Sequence, residues 1–156
     1  MKNLILLFLL SPLVCLAQLS YKDLTFLAHN KVDKNIEYIQ HKGYVFRQEK
    51  TTGDGTKQVY YEKGKLSRTM IVMRVLNNQS VVISYVPEDK NNFENIQNEI
   101  NKTGFNLIDS TSSERDSCSS YQSKEYFTKL CEVQFPGSSE KSYNITFYRK
   151  DVSSNN

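Results

Sequence analysis

The chain has 156 residues, with 20 Lys and Arg against 17 Asp and Glu, a formal charge of +3, 38% hydrophobic residues and no tryptophan. A balance this close to neutral, with no block of basic residues, supplies little of the phosphate attraction that nucleic-acid binding requires, so no nucleic-acid partner is expected. The length suits one compact domain or two intimate halves that share a core.

The first segment reads as an export signal. Lys2 supplies a positive start, Leu4 to Leu10 an apolar run, Ser11-Pro12 a break, and Cys15 and Ala17 small residues flanking Leu16, which places cleavage after Ala17. The run is too short for a membrane span and no second one follows, so the mature chain is expected to have no transmembrane segment. The rival reading, a lipid anchor on Cys15, meets Pro12-Leu13-Val14 where a bacterial lipoprotein signal carries small residues. Residues 1–17 are thus a signal peptide, and the protein is expected to be periplasmic or extracellular.

From Leu19 to Lys42 the pattern is helical with one interruption. Ser20 caps a short helix carrying Leu24, Phe26 and Leu27, with Asp23 in the capping-box position; Asn30 and Asp33 interrupt it. A second helix from about Lys34 presents Ile36 and Ile39 and stops at Gly43, with His41 and Lys42 suited to the negative end of its dipole. Beyond Gly43 the period shortens to that of strands. "YVFRQEK", "KQVYYE", "LSRTMIVMRVL" and "SVVISYV" follow, separated by "TTGDGT", "KGK" and Asn77-Asn78 and ended by Pro87.

The same order then recurs. Asp89 caps a helix through Phe93, Ile96 and Ile100 that ends at Gly104, and "FNLIDST", "CSSYQS", "YFTKLCEVQF" and "SYNITFYRK" read as four more strands. "NIEYIQHKGYVF" and "NIQNEINKTGFNLI" echo each other: Ile39 and Ile100 lie four positions before a glycine, Tyr44 and Phe105 one after. The expected fold is therefore α+β, two tandem units of helix plus four-stranded antiparallel sheet, with the helices on one face of a shared sheet. The units span 18–87 and 88–150, and 151–156 form a flexible tail.

Cleavage removes Cys15 and leaves Cys118 and Cys131 as an even pair in an oxidising compartment. If Lys124 and Glu125 form a two-residue hairpin loop, counting outward sets Cys118 opposite Cys131, close enough for a disulfide. With no C-x-x-C and no helix start beside either cysteine, the pair reads as structural.

Catalytic chemistry finds little support. His29 and His41 fall on polar helix segments, and Glu37 with His41 gives two metal ligands at i, i+4 without a third. Ser138 to Lys141 spells S-x-x-K, but in a turn between strands rather than at a helix start. No catalytic residue, metal site or cofactor is expected. Tyrosine is the unusual feature: Tyr44, Tyr60, Tyr61, Tyr85, Tyr121, Tyr126, Tyr143 and Tyr148 lie on or beside expected strands. Adjacent Tyr60 and Tyr61 must point to opposite faces, so one faces away from the helices. An open face carrying Tyr60, Tyr126, Arg68 and Arg74 would have the Tyr/Arg composition enriched at protein interfaces, and these four are the candidate protein-binding residues.

This tandem of helices and four-stranded sheets in an exported chain resembles the beta-lactamase-inhibitor-protein fold in its order of elements. There, two units form an extended sheet whose concave face grips a target enzyme. Small envelope lipoproteins of the outer-membrane assembly machinery use a shorter version. The usual inhibitor domain has a disulfide in each unit, where this chain offers one pair, and no contact residue carries over. The absence of catalytic groups best fits an exported binding module that engages another protein through its sheet face, as an inhibitor or immunity-type factor. An envelope structural or assembly protein is the alternative, and a small hydrolase a third reading.

Overall fold

The computed structural model describes residues 18–64, 68–76 and 80–150. The expected leader, the Asn77-Asn78 turn and the C-terminal tail lie outside these. The described fold is α+β, three helices and one eight-stranded antiparallel sheet. The strands form this single sheet rather than two separate four-stranded ones.

The first helix, α1 (Tyr21–His29), begins with the expected capping box, in which Ser20 and Asp23 satisfy each other's backbone N–H. The second, α2 (Val32–His41), starts earlier than Lys34. Asp33 sits in its first turn, where a carboxylate favours the dipole, and so does not interrupt the helix. Only Asn30 separates as a cap, its N–H donating to the Phe26 carbonyl. Asn35, fully buried, donates its amide to the carbonyls of Leu27 (2.6 Å) and Asn30 (3.1 Å), closing the frayed end of α1 from within α2.

At the end of α2, Gly43 takes φ of 85°, so that Tyr44 N–H can reach back to the Ile39 carbonyl at 3.0 Å. The strands β1 (Val45–Thr51), β2 (Lys57–Glu62), β3 (Met70–Val75) and β4 (Val81–Val86) then run antiparallel as a meander. Asp89 caps α3 (Lys90–Lys102) through the Asn92 N–H, and Gly104 at φ 76° releases the chain into a second meander. That meander is β5 (Asn106–Ser112), β6 (Asp116–Gln122), β7 (Tyr126–Gln134) and β8 (Lys141–Arg149).

Sheet order is β1-β2-β3-β4-β8-β7-β6-β5, so the two meanders meet through their last strands and their first strands form the outer edges. The junction is narrow, with only Ile83, Ser84 and Tyr85 pairing with Phe147, Thr146 and Ile145. Register shifts occur in β1 between Phe46 and Gln48 and in β5 between Leu107 and Asp109. Phe46 and Leu107 each stand three residues past their glycine, so both irregularities fall at the same point after the turn.

One face is packed. Leu24, Leu27, Ile39, Phe93, Ile96 and Ile100 from the helices join Tyr61, Ile71, Met73, Ile83, Tyr85, Ile145 and Phe147 from the strands in one buried cluster. Ile39 and Ile100 are completely buried, and Tyr44 and Phe105 lie beside them in that cluster. Leu19 is also buried, its N–H donating to the Tyr85 hydroxyl (3.2 Å) and its carbonyl accepting from Asn92 (2.9 Å). The Tyr85 hydroxyl in turn donates to the Asn92 side-chain carbonyl at 2.7 Å, so the residues that follow Ala17 are woven into the core.

Candidate functional site

Side chains alternate along a strand, so the pairing register sorts every strand residue onto one of two faces. Tyr61, Ile71, Tyr85, Ile145 and Leu130 form a cross-strand row beneath the helices. The neighbouring row, on the opposite face, crosses all eight strands: Gln48, Tyr60, Val72, Ser84, Thr146, Lys129, Ser120 and Asp109. Beside it run Lys50, Gln58, Arg74 and Val82 from one meander and Tyr148, Phe127, Gln122 and Asn106 from the other.

The four candidate residues separate on this framework. Tyr60 and Arg74 lie on the open face, within these adjacent rows. Tyr126 does not: its ring packs against Phe147 at 5.3 Å on the helix-covered side. Its place on the open face is taken by the next residue, Phe127, whose ring stacks on Tyr148 at 4.9 Å. Arg68 lies just before β3, away from Tyr60, and pairs with Glu140 at 2.8 Å. The Arg68 charge holds the Glu140 carboxyl below the usual carboxylate range.

Around Tyr60 the open face is both aromatic and cationic. The Lys50 ammonium sits 5.5 Å from the Tyr60 ring centroid, and the Tyr60 hydroxyl donates to Gln58 at 2.6 Å. Val82, opposite Arg74, is only 8% exposed despite facing away from the helices, which makes it the apolar floor of this region. Burial pushes the Tyr148 phenol upward, with the Arg74 charge pulling against it, so the two are electrostatic neighbours.

At the other end of the face, where pairing between β4 and β8 stops, a cleft of about 540 Å³ opens. Met70, Val86, Pro87 and Phe135 give it an apolar lining, with Arg68 and Lys141 set against Glu62 and Glu88 around them. Phe135 is 46% exposed there. Of the S-x-x-K residues, Lys141 lines the cleft and bonds Glu132 at 2.9 Å, while Ser138 lies outside its lining and accepts at its hydroxyl from the Glu140 N–H in the turn.

Cys118 and Cys131 form the disulfide, directly opposed across β6 and β7 with Cα atoms 4.1 Å apart. The hairpin turns at Lys124-Glu125 as the count required, with Ser123 N–H donating to the Tyr126 carbonyl at 2.9 Å. Among the described residues no three His, Cys, Asp or Glu side chains gather as a metal site, and His29, Glu37, His41 and Asp109 are all exposed.

The residues that sequence reasoning missed are Lys50, Phe127, Lys129 and the cleft's Phe135 and Glu88. Phe127 and Lys129 share parity with Cys131 in the expected hairpin, and that signal would have grouped them. Among the described residues no helix is long and apolar enough to cross a membrane. No protein-family model matches the chain, and no curated protein or solved structure matches it either.

Proposed function

We propose that the chain is an exported binding module, built as a tandem of two helix-plus-sheet units, that recognises another protein through the open face of its sheet. The observation that carries this reading is a face that none of the described helices covers, with Tyr60, Tyr148, Phe127 and Arg74 in adjacent rows. Aromatic residues and arginine are the types that dominate binding energy at protein interfaces. The cleft at the junction, part apolar and part charged, supports it further, since a partner side chain buried there would serve as an anchor.

Export rests on the leader pattern together with the disulfide, a bond that persists in oxidising compartments. The tandem reading rests on the two glycine turns and on strand irregularities at equal distances beyond them. The resemblance to the beta-lactamase-inhibitor-protein fold belongs to the same proposal, as an order of elements.

The test is an affinity capture with the mature protein, residues 18–156, from the source cell's envelope and medium, beside the double variant Tyr60→Ala/Arg74→Ala. A discrete partner held by the native protein and lost from the variant supports recognition through this face. A partner retained equally by both rules the face out.

A further inference from the structure

The open-face strip around Tyr60 has a charge pattern that specifies the kind of partner. Resting on the reading of this face as a recognition surface, we infer that its occupant is an acidic, extended protein segment lying across the strands. Lys50, Arg74 and Lys129 all project from the same face, and all three are exposed. None of them forms an ion pair with a carboxylate among the described residues. The two rows that hold them contain a single carboxylate, Asp109, which lies on the far edge strand β5. Of the other strand cations, Arg47 pairs with Glu62, Lys57 with Glu49 and Lys141 with Glu132. The strip is therefore where the sheet's positive charge is left for a partner to neutralise.

The spacing selects the form of that partner. Lys50 is on β1, Arg74 two strands away on β3, and Lys129 three strands further on β7. At roughly 4.8 Å between strands, these are gaps of about 10 and 14 Å measured across the sheet. An extended chain advances about 3.3 Å per residue and turns alternate residues to one side, so carboxylates four residues apart share a face, step about 13 Å and fall within reach of the flexible Lys and Arg side chains in turn. Between them, Tyr60 and the stacked Phe127–Tyr148 pair offer aromatic surface to the intervening residues.

The decisive measurement uses the mature, disulfide-bonded protein labelled for amide NMR. Its probe is a synthetic peptide with three glutamates, each four residues from the next, compared with one of equal composition whose glutamates are adjacent. The expected result is shifts confined to Tyr60, Arg74, Lys129 and their row neighbours, stronger binding of the spaced peptide, and weakening with salt. The triple variant Lys50→Gln/Arg74→Gln/Lys129→Gln, with its spectrum otherwise intact, should bind about tenfold more weakly.

Shifts elsewhere, no shifts, or equal binding of the two peptides would overturn the inference. So would tighter binding of a single-stranded oligonucleotide to the same rows, which would make the strip a polyanion site. The face itself is judged separately: a partner lost on Tyr60→Ala but retained by the triple variant leaves protein recognition standing and removes the acidic segment.

Discussion

The Lys42 ammonium lies 2.9 Å from the Asp23 carboxylate, fastening the C-terminal end of α2 to the first turn of α1. Asp23 is buried and also accepts from the Ser20 N–H (2.7 Å), the Ser20 hydroxyl (2.8 Å) and the Tyr38 hydroxyl. Burial opposes the charge, but these donors outweigh it and hold the Asp23 carboxyl below its ordinary value.

Asp23→Ala is expected to destabilise the fold by about 3 kcal/mol, because it leaves several donors without their acceptor. Lys42→Met, which removes one partly exposed partner, should cost about 1 kcal/mol. The pH dependence follows from the lowered pKa. Asp23 contributes its full stability above the ordinary 3.8 and loses it as pH falls through the lower folded value. Urea unfolding between pH 7 and 2 measures this, and Asp23→Ala should flatten the acid limb.

Tyr85 gives the opposite limb. Burial pushes its phenol from 10.0 up to about 12, and burial also raises the Tyr44 phenol in the same core. A buried phenol that resists ionisation contributes fully below about pH 10 and loses that contribution as pH rises through about 12. Alkaline unfolding in that window is expected, with the last two of the ten tyrosines to give tyrosinate absorbance doing so in step with loss of structure. Tyrosinate absorbance from all ten before unfolding would count against burial of the two rings.

Reduction of Cys118–Cys131, whose cysteines are 13 residues apart, should lower stability by about 3 kcal/mol by freeing the unfolded chain. The double variant Cys118→Ser/Cys131→Ser should reproduce that loss in a denaturant titration and become insensitive to reductant.

Gly104→Ala tests the turn after α3. The φ of 76° disfavours a Cβ although open space surrounds it, so the loss is a backbone effect of about 1–2 kcal/mol. Gly104→Asn should recover part of it, since asparagine tolerates this conformation better. Gly43, at φ 85°, should respond in the same direction.

Local signals in the sequence were readable where chemistry acts over a few residues. The Ser20–Asp23 capping box, the two glycine turns and the Cys118–Cys131 register each depend on neighbours in the chain, and each stands in the structure. The start of α2 was hidden because Lys31 caps it without a side-chain hydrogen bond, while Asp33 looks like a breaker when it is a first-turn acid. The face of Tyr126 was hidden for another reason. In β7 both parities carry an aromatic, Tyr126 on one and Phe127 on the other, so hydrophobicity alone could not say which meets the helices. Charge on the open face was equally invisible, because the register sets Lys50 and Arg74 in one row and only a sheet order that joins the last strands of the two meanders brings Lys129 onto the same face.

The outer strands β1 and β5 have a further consequence. Among the described residues each has a strand partner on one side only, and each carries exposed apolar residues near its start, Val45 and Phe46 on one, Leu107 and Ile108 on the other. Two such borders on one sheet would invite molecules to join end to end into a growing ribbon. The register shift after Phe46 and its counterpart after Leu107 interrupt each ladder next to those residues, with Arg47 and Asp109 adding charge at the break. A bulge twists an edge strand away from the flat geometry that a second sheet would need, so the same irregularity placed twice works against pairing at both rims.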